Sequence, residues 1–216
     1  MQLNSYIDHT LLRPTATPDQ IQRLCAEAKQ HQFHAVCVNG CYVALASQLL
    51  AGSGVLVAAV VGFPLGAMSQ AAKLYEAQQC LQDGADEIDL VLNLGWLKAQ
   101  QDERVVAELG VIKQTTGPKL LKVILETCYL TDAEKQRACE LAVAAQADFV
   151  KTSTGFGPGG ASFADVALLK QTVGNRAQVK ASGGIKQAAD ALKLIELGAT
   201  RLGTSAGVQL MADRQV

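Results

Sequence analysis

The sequence predicts a single (β/α)8 barrel, a TIM barrel, over residues 1–216, and three observations lead to it. Eight short apolar or β-branched runs alternate with helical stretches, a pattern of parallel strands joined by crossover helices. Within four of those runs the ionisable residues share one parity, as they must where one face of each strand lines a closed lumen. Hydrophobic residues make up 49% of the chain and charged residues 18%. That describes an interior-rich chain, near the length at which one core stops growing.

The eight strand runs fall at residues 6–10, 34–39, 55–61, 87–93, 120–126, 148–153, 178–182 and 200–204. The segments between them carry helix start signals. Thr17-Pro18-Asp19-Gln20, Thr131-Asp132-Ala133-Glu134 and Ser162-Phe163-Ala164-Asp165 each place a hydroxyl cap three residues ahead of an acceptor. Gly84 and Gly198 directly follow amphipathic stretches and predict helix ends. An open doubly wound sheet would show the same alternation, so the polar residues decide between the two. Asp89, Val91 and Asn93 alternate with Ile88, Leu90 and Leu92; Lys122, Ile124 and Glu126 alternate with Leu121, Val123 and Leu125. Lys151 and Ser153 alternate with Val150 and Thr152, and Lys180 and Ser182 with Val179 and Ala181. Four strands therefore send an ionisable residue inward, and the expected fold is the closed barrel.

The bulk numbers exclude several function classes. Lys plus Arg number 19 against 20 Asp plus Glu, so no global field favours nucleic acid or an anionic membrane. The longest apolar run, 55–61, is too short to span a bilayer, and Met1-Gln2-Leu3-Asn4-Ser5 lacks the basic and apolar regions of a leader. The six cysteines form no CxxC pair and lie in apolar stretches, which suits reduced thiols in a cytoplasmic protein. His9, His31 and His34 are the only histidines; a clustered metal site is not expected from them.

Asp89, Lys122, Glu126, Lys151 and Lys180 would converge inside one barrel, where charge is costly unless paired. A structural ion-pair network accounts for any one of them, but three lysines exceed two carboxylates. Surplus positive charge has a chemical use, because a lysine must lose its proton before it attacks a carbonyl. Moving an amine from a reference pKa of about 10.4 to about 7–8 requires about 4 kcal/mol against the ammonium form. One cation about 6 Å away at an effective dielectric near 20 contributes roughly 3 kcal/mol. Asp89 is the best-placed proton shuttle, with Lys122 to position it.

Gly-rich segments close the last three strands: Thr154-Gly155-Phe156-Gly157, Ser182-Gly183-Gly184-Ile185 and Gly203-Thr204-Ser205-Ala206-Gly207. Backbone amides freed by glycine form anion nests, and barrels often hold phosphate after strands seven and eight. Residues 155–160 also satisfy GxGxxG, which raises a dinucleotide-dependent oxidoreductase as a rival. Against it, the motif follows the sixth strand, contains Pro158, and is followed by a strand ending without an acid for a ribose. A phosphate-ligand-binding barrel without chemistry is the non-enzymatic rival.

At Lys151-Thr152-Ser153-Thr154-Gly155-Phe156 and Lys180-Ala181-Ser182-Gly183-Gly184-Ile185 the sequence resembles deoxyribose-phosphate aldolases. The likeness extends in family order through Ile7-Asp8-His9-Thr10-Leu11-Leu12, Val36-Cys37-Val38-Asn39, Val60-Val61-Gly62-Phe63-Pro64, Glu87-Ile88-Asp89-Leu90-Val91, Lys122-Val123-Ile124-Leu125-Glu126-Thr127 and Gly203-Thr204-Ser205. The resemblance implies that Lys151 forms a Schiff base, that Lys180 depresses its pKa, and that Asp89 acts in proton transfer with Lys122 nearby. It implies cleavage of 2-deoxyribose 5-phosphate to glyceraldehyde 3-phosphate and acetaldehyde, without metal or organic cofactor, in deoxyribonucleoside breakdown. Gly155, Gly183, Gly184 and Ser205 would hold the phosphate, and Asp8 and Thr152 would line the sugar side. The expected partners are the phosphorylated sugar, the aldehydes and further copies of the chain, with a dimer favoured. Two departures from the family pattern stand out. Phe156 occupies a position where some relatives carry a lysine, and the chain ends Ala212-Asp213-Arg214-Gln215-Val216 where some end in a tyrosine.

Overall fold

Strands buried on both faces read as near-continuous apolar runs, and the eight runs become eight parallel strands. The computed structural model describes residues 2–213. Its strands are β1 (Ile7–Leu11), β2 (Ala35–Val38), β3 (Leu56–Val61), β4 (Glu87–Val91), β5 (Leu120–Ile124), β6 (Phe149–Lys151), β7 (Gln178–Ser182) and β8 (Ala199–Thr204). Each pairs with the next, and β8 pairs with β1, so the sheet closes into a barrel. The helices are α1 (Pro18–His31), α2 (Val43–Leu50), α3 (Gln70–Gln82), α4 (Leu94–Lys98), α5 (Asp102–Thr116), α6 (Asp132–Ala144), α7 (Phe163–Val173), α8 (Ala188–Glu196) and α9 (Gly207–Asp213). Residues 214–216, and with them the chain end where some relatives carry a tyrosine, lie outside the described residues.

The start signals hold. The Gln20 side chain accepts the Thr17 N–H at 3.1 Å, Thr131 and Glu134 cap each other at the head of α6, and Ser162 accepts the Asp165 N–H at 3.0 Å. Two cores result. Outward residues such as Ile88, Leu90, Val123, Val150 and Val179 pack with the helices in one large cluster, while Leu12, Cys37, Ala58 and Val60 form a separate lumenal patch.

Several sequence runs are longer than the strands they became, by a residue at some N-terminal ends and by up to two at the C-terminal ends. Asn93 leaves the ladder to cap α4, accepting the Trp96 N–H at 3.1 Å, so it does not continue the inward row of β4. Glu126 adopts the left-handed conformation (φ 51, ψ 63) two residues after β5 ends. Residues 152 and 153 leave β6 to bond the end of β7. Among the described residues no helix is long and apolar enough to cross a membrane, and all six cysteines are free.

Candidate active site

Register places the inward charges. Asp89 on β4 lies opposite Lys122 on β5, and Lys151 on β6 lies opposite Lys180 on β7. Their side chains meet in the lumen. Asp89 accepts from Lys122 at 2.7 Å through one carboxylate oxygen, and from both Lys151 and Lys180 at 2.8 Å through the other. Lys180 also donates to Asp8 on β1, whose second oxygen takes Arg201 of β8 at 3.0 Å. Below them Glu87 bridges Lys122 (2.5 Å) and Arg201 (3.0 Å), with His34 at 3.7 Å.

This arrangement corrects the sequence expectation about which carboxylates point inward. Glu126 is not one of them: its left-handed backbone turns the side chain to Thr154, where it accepts the backbone N–H at 3.1 Å and the hydroxyl. Asp8 and Glu87 take its place, and Arg201 is a fourth cation. Four cations therefore face three carboxylates, and the surplus of positive charge survives the correction. Parity would have found all three additions. Glu87 is two residues before Asp89, Asp8 precedes His9 on the first strand, and Arg201 alternates with the buried outward Leu202.

The electrostatics follow from burial and pairing. Burial opposes ionisation of Asp89, but Lys122, Lys151 and Lys180 outweigh it and hold its carboxyl well below the ordinary carboxylate range. Glu87 and Asp8 are depressed in the same way, burial being overcome by His34, Lys122 and Arg201 for the first and by Lys180, Arg201 and Lys122 for the second. Burial acts against the Lys180 ammonium, yet Asp8 and Asp89 prevail and raise its pKa above the ordinary lysine range. Lys180 is therefore a fixed cation at physiological pH.

A cavity of about 650 Å³ opens above this cluster at the C-terminal mouth of the barrel, within the usual range for small-molecule sites. Of the three lumenal lysines, Lys151 alone lines it. Gly155, Gly183, Gly184 and Ser205 line it together, with Arg13, Phe156 and Lys186 at its edge. All three of those glycines have positive φ (85, 90 and 80), the geometry that turns successive amides toward an anion. Gly160 serves a different purpose from the one its GxGxxG spacing suggests. A Cβ there would lie 2.3 Å from the Gly183 carbonyl oxygen, so the residue lets two mouth loops touch.

Thr152 and Asp8 fall outside the cavity lining. The Thr152 hydroxyl donates to the Ser182 carbonyl at 3.1 Å and accepts the Ser182 N–H at 3.1 Å, tying β6 to β7, while Asp8 sits beneath the floor on Lys180 and Arg201. The cationic Arg13 and Lys186 carried no distinguishing pattern in the sequence, because an exposed loop arginine or lysine is ordinary. Phe156 packs edge-on against Phe63, ring centres 5.2 Å apart, and Phe63 in turn covers the lumenal apolar patch. Among the described residues no group of three or more His, Cys, Asp or Glu converges as metal ligands.

Residues 3–211 match the DeoC/LacD family of aldolases. Over 209 residues the chain is 57% identical to a deoxyribose-phosphate aldolase of Carboxydothermus hydrogenoformans, covering 95% of this chain and 92% of that one. It is 52% identical to a deoxyribose-phosphate aldolase of Finegoldia magna over 98% of this chain and 99% of that one. A deoxyribose phosphate aldolase of Aeropyrum pernix, described as a unique tetrameric structure, superposes with a TM-score of 0.90 at 34% identity, covering 99% of this chain and 91% of that one.

Proposed function

Since the chain belongs to the DeoC/LacD family of aldolases, we propose that it cleaves 2-deoxyribose 5-phosphate reversibly to glyceraldehyde 3-phosphate and acetaldehyde through a Schiff base on Lys151. One observation carries this reading. Lys151 is the single member of the lumenal lysine cluster that reaches the cavity, and the glycine-lined anion nest borders the same cavity.

The chemistry runs on the residues already described. The neutral Lys151 amine adds to C1 of the open-chain sugar and expels water, leaving an iminium that draws electrons from the C2–C3 bond. A base takes the C3 hydroxyl proton, the bond breaks, and glyceraldehyde 3-phosphate departs. The remaining enamine takes a proton at C2, and water then returns acetaldehyde and the free lysine. Lys180, fixed as a cation by Asp8 and Asp89, opposes a second positive charge on Lys151 and supports the iminium's electron-withdrawing environment. Asp89 is ionised in the resting site. Lys151 keeps its positive charge as the iminium, so Asp89 is still an ionised acceptor while the C3 hydroxyl loses its proton. Once the neutral enamine forms, one of the cations depressing Asp89 is gone, and the carboxyl can hold that proton until C2 takes it.

Gly155, Gly183, Gly184 and Ser205 hold the phosphate end. Asp8 and Thr152 act from beneath and beside the cavity, on Lys180 and on the β6–β7 junction. No metal or organic cofactor takes part. The enzyme works in the cytoplasm in the breakdown of deoxyribonucleosides and assembles as a homo-oligomer, in keeping with the tetrameric Aeropyrum relative.

Borohydride reduction in the presence of 2-deoxyribose 5-phosphate and a chelator, followed by peptide mapping, tests the central step. A two-carbon adduct on Lys151, absent from Lys151→Arg, is expected. An adduct on Lys122 or Lys180, or none together with no aldehyde released, would overturn the assignment.

A further inference from the structure

Glu126 is buried (3% exposed), lies beside the cavity without lining it, and has a role that no catalytic step above requires. We propose that it is the positioning residue of the anion loop, setting the shape of residues 154–157 and through it the grip on the phosphate. The inference rests on the phosphate-sugar reading of the site.

Three observations converge. First, the backbone of Glu126 is left-handed, a region that residues with a Cβ seldom occupy unless the surroundings impose it. It is imposed by hydrogen bonds on either side. The Leu125 N–H donates to the Lys151 carbonyl and the Thr127 N–H to the Thr152 carbonyl, both at 2.9 Å. The turn between them throws the side chain two residues further along, onto Thr154.

Second, the carboxylate fixes a direction of hydrogen bonding. An ionised carboxylate only accepts, so the Thr154 hydroxyl must donate to it, leaving its own lone pair to accept the Phe156 N–H at 3.0 Å. With the Thr154 N–H also bound to Glu126, the peptide before Thr154 is held by this side chain directly and the peptide after Gly155 through the Thr154 hydroxyl. Third, the carboxylate is wedged under the loop. A Cβ on Gly157 would lie 3.3 Å from its Cδ, and the Cys128 thiol approaches at 3.9 Å.

The sign of its charge separates geometry from electrostatics. A buried anion beneath a phosphate site repels the ligand, so neutralising Glu126 would tighten phosphate if charge alone mattered. Positioning predicts the reverse, because an amide at that place can donate to Thr154 Oγ and release the ordered loop.

The test compares wild type, Glu126→Gln and Thr154→Val on 2-deoxyribose 5-phosphate and on unphosphorylated 2-deoxyribose, with inorganic phosphate titrated as a ligand by calorimetry. For Glu126→Gln the expected result is a KM for the phosphorylated sugar raised about tenfold with kcat within about threefold. Phosphate binding should weaken by a similar factor, while kcat/KM on 2-deoxyribose stays within about twofold. Tighter phosphate binding, an unchanged KM, or equal losses on both sugars would overturn the proposal. If melting shows that Glu126→Gln does not fold, Thr154→Val, which removes the same hydroxyl, must give the same split. Should wild type cleave neither sugar, the aldolase reading fails, and the phosphate titrations alone decide the positioning role.

Discussion

Asp89 accepts from three ammonium groups at 2.7 to 2.8 Å, so no lysine has that carboxylate to itself. The charge around Lys151 is then set by residues that never touch substrate, and two substitutions should move it in opposite directions. Glu87→Gln deletes an anion beneath the cluster, disfavours ammonium forms, and should shift the acidic limb of the kcat/KM profile down by on the order of one pH unit. Lys180→Met deletes the fixed cation and should shift the same limb up, lowering activity at neutral pH more than at pH 9. Rate profiles from pH 5 to 10 on variants of verified melting temperature would measure both. Shifts of the same sign would refute the electrostatic account. At this scale the sequence was most legible where spacing alone placed a residue in the lumen, as for Lys122, Lys151 and Lys180. It misled at Glu126, because strand parity assumes that the strand continues, and a left-handed residue breaks the alternation without any glycine to announce it.

Between elements, a fully buried ion pair outside the lumen joins α3 to α5. Lys73 and Glu108 are fully buried and paired at 2.8 Å, and Lys73 also donates to the Val91 carbonyl at 2.9 Å, just past the floor of the site. Burial wins over pairing at both ends: the Lys73 pKa is lowered and the Glu108 pKa raised from their ordinary values. Such a pair is costly to halve and cheap to replace. Lys73→Met should cost about 3–5 kcal/mol by leaving Glu108 uncompensated. Lys73→Met combined with Glu108→Leu should return to within about 1–2 kcal/mol of wild type, the residual deficit being the lost bond to Val91. Urea denaturation of the four proteins of the cycle measures this, and additive losses would show that the pair does not couple.

Half of that pair was legible. Lys73 shares a helical face with buried Ala77 and Cys80, and Glu108 with Val105, Leu109 and Ile112, so periodicity puts both inside. Their partnership across 35 residues needed the packing of two crossover helices against β4, which no local pattern encodes. Strand existence, order and the one-sided burial of each helix were readable for the same reason in reverse: they follow from period and local turn chemistry. Strand ends were not, because at the C-terminal mouth Asn93 and Glu126 turn their side chains to cap α4 and hold Thr154, while Thr152 and Ser153 add cross-links to Ser182 beyond the end of β6.

For the whole molecule, charges from opposite ends of the chain meet where the barrel closes. Asp8 on β1 binds Lys180 on β7 and Arg201 on β8, across the seam where the first and last strands pair. Asp8, Glu87 and Asp89 all have folded pKa values below their unfolded ones. A depressed carboxylate contributes stability that is complete above its unfolded pKa, about 3.9 for Asp and 4.3 for Glu, and is lost as pH falls through the folded value. Glu108, raised rather than lowered, acts in the opposite sense, but it is one group against three. The melting temperature should therefore be nearly flat from about pH 7 to pH 5 and fall steeply below about pH 4. Because these groups are buried, ions do not reach them, and raising NaCl from about 0.05 to 0.5 M should leave the position of that acid edge unchanged. Circular dichroism melts across pH 2.5 to 8 at the two salt concentrations test both statements. An acid edge that moves with salt would place the responsible carboxylates on the surface, among pairs such as Arg176 with Glu140, and not at the seam.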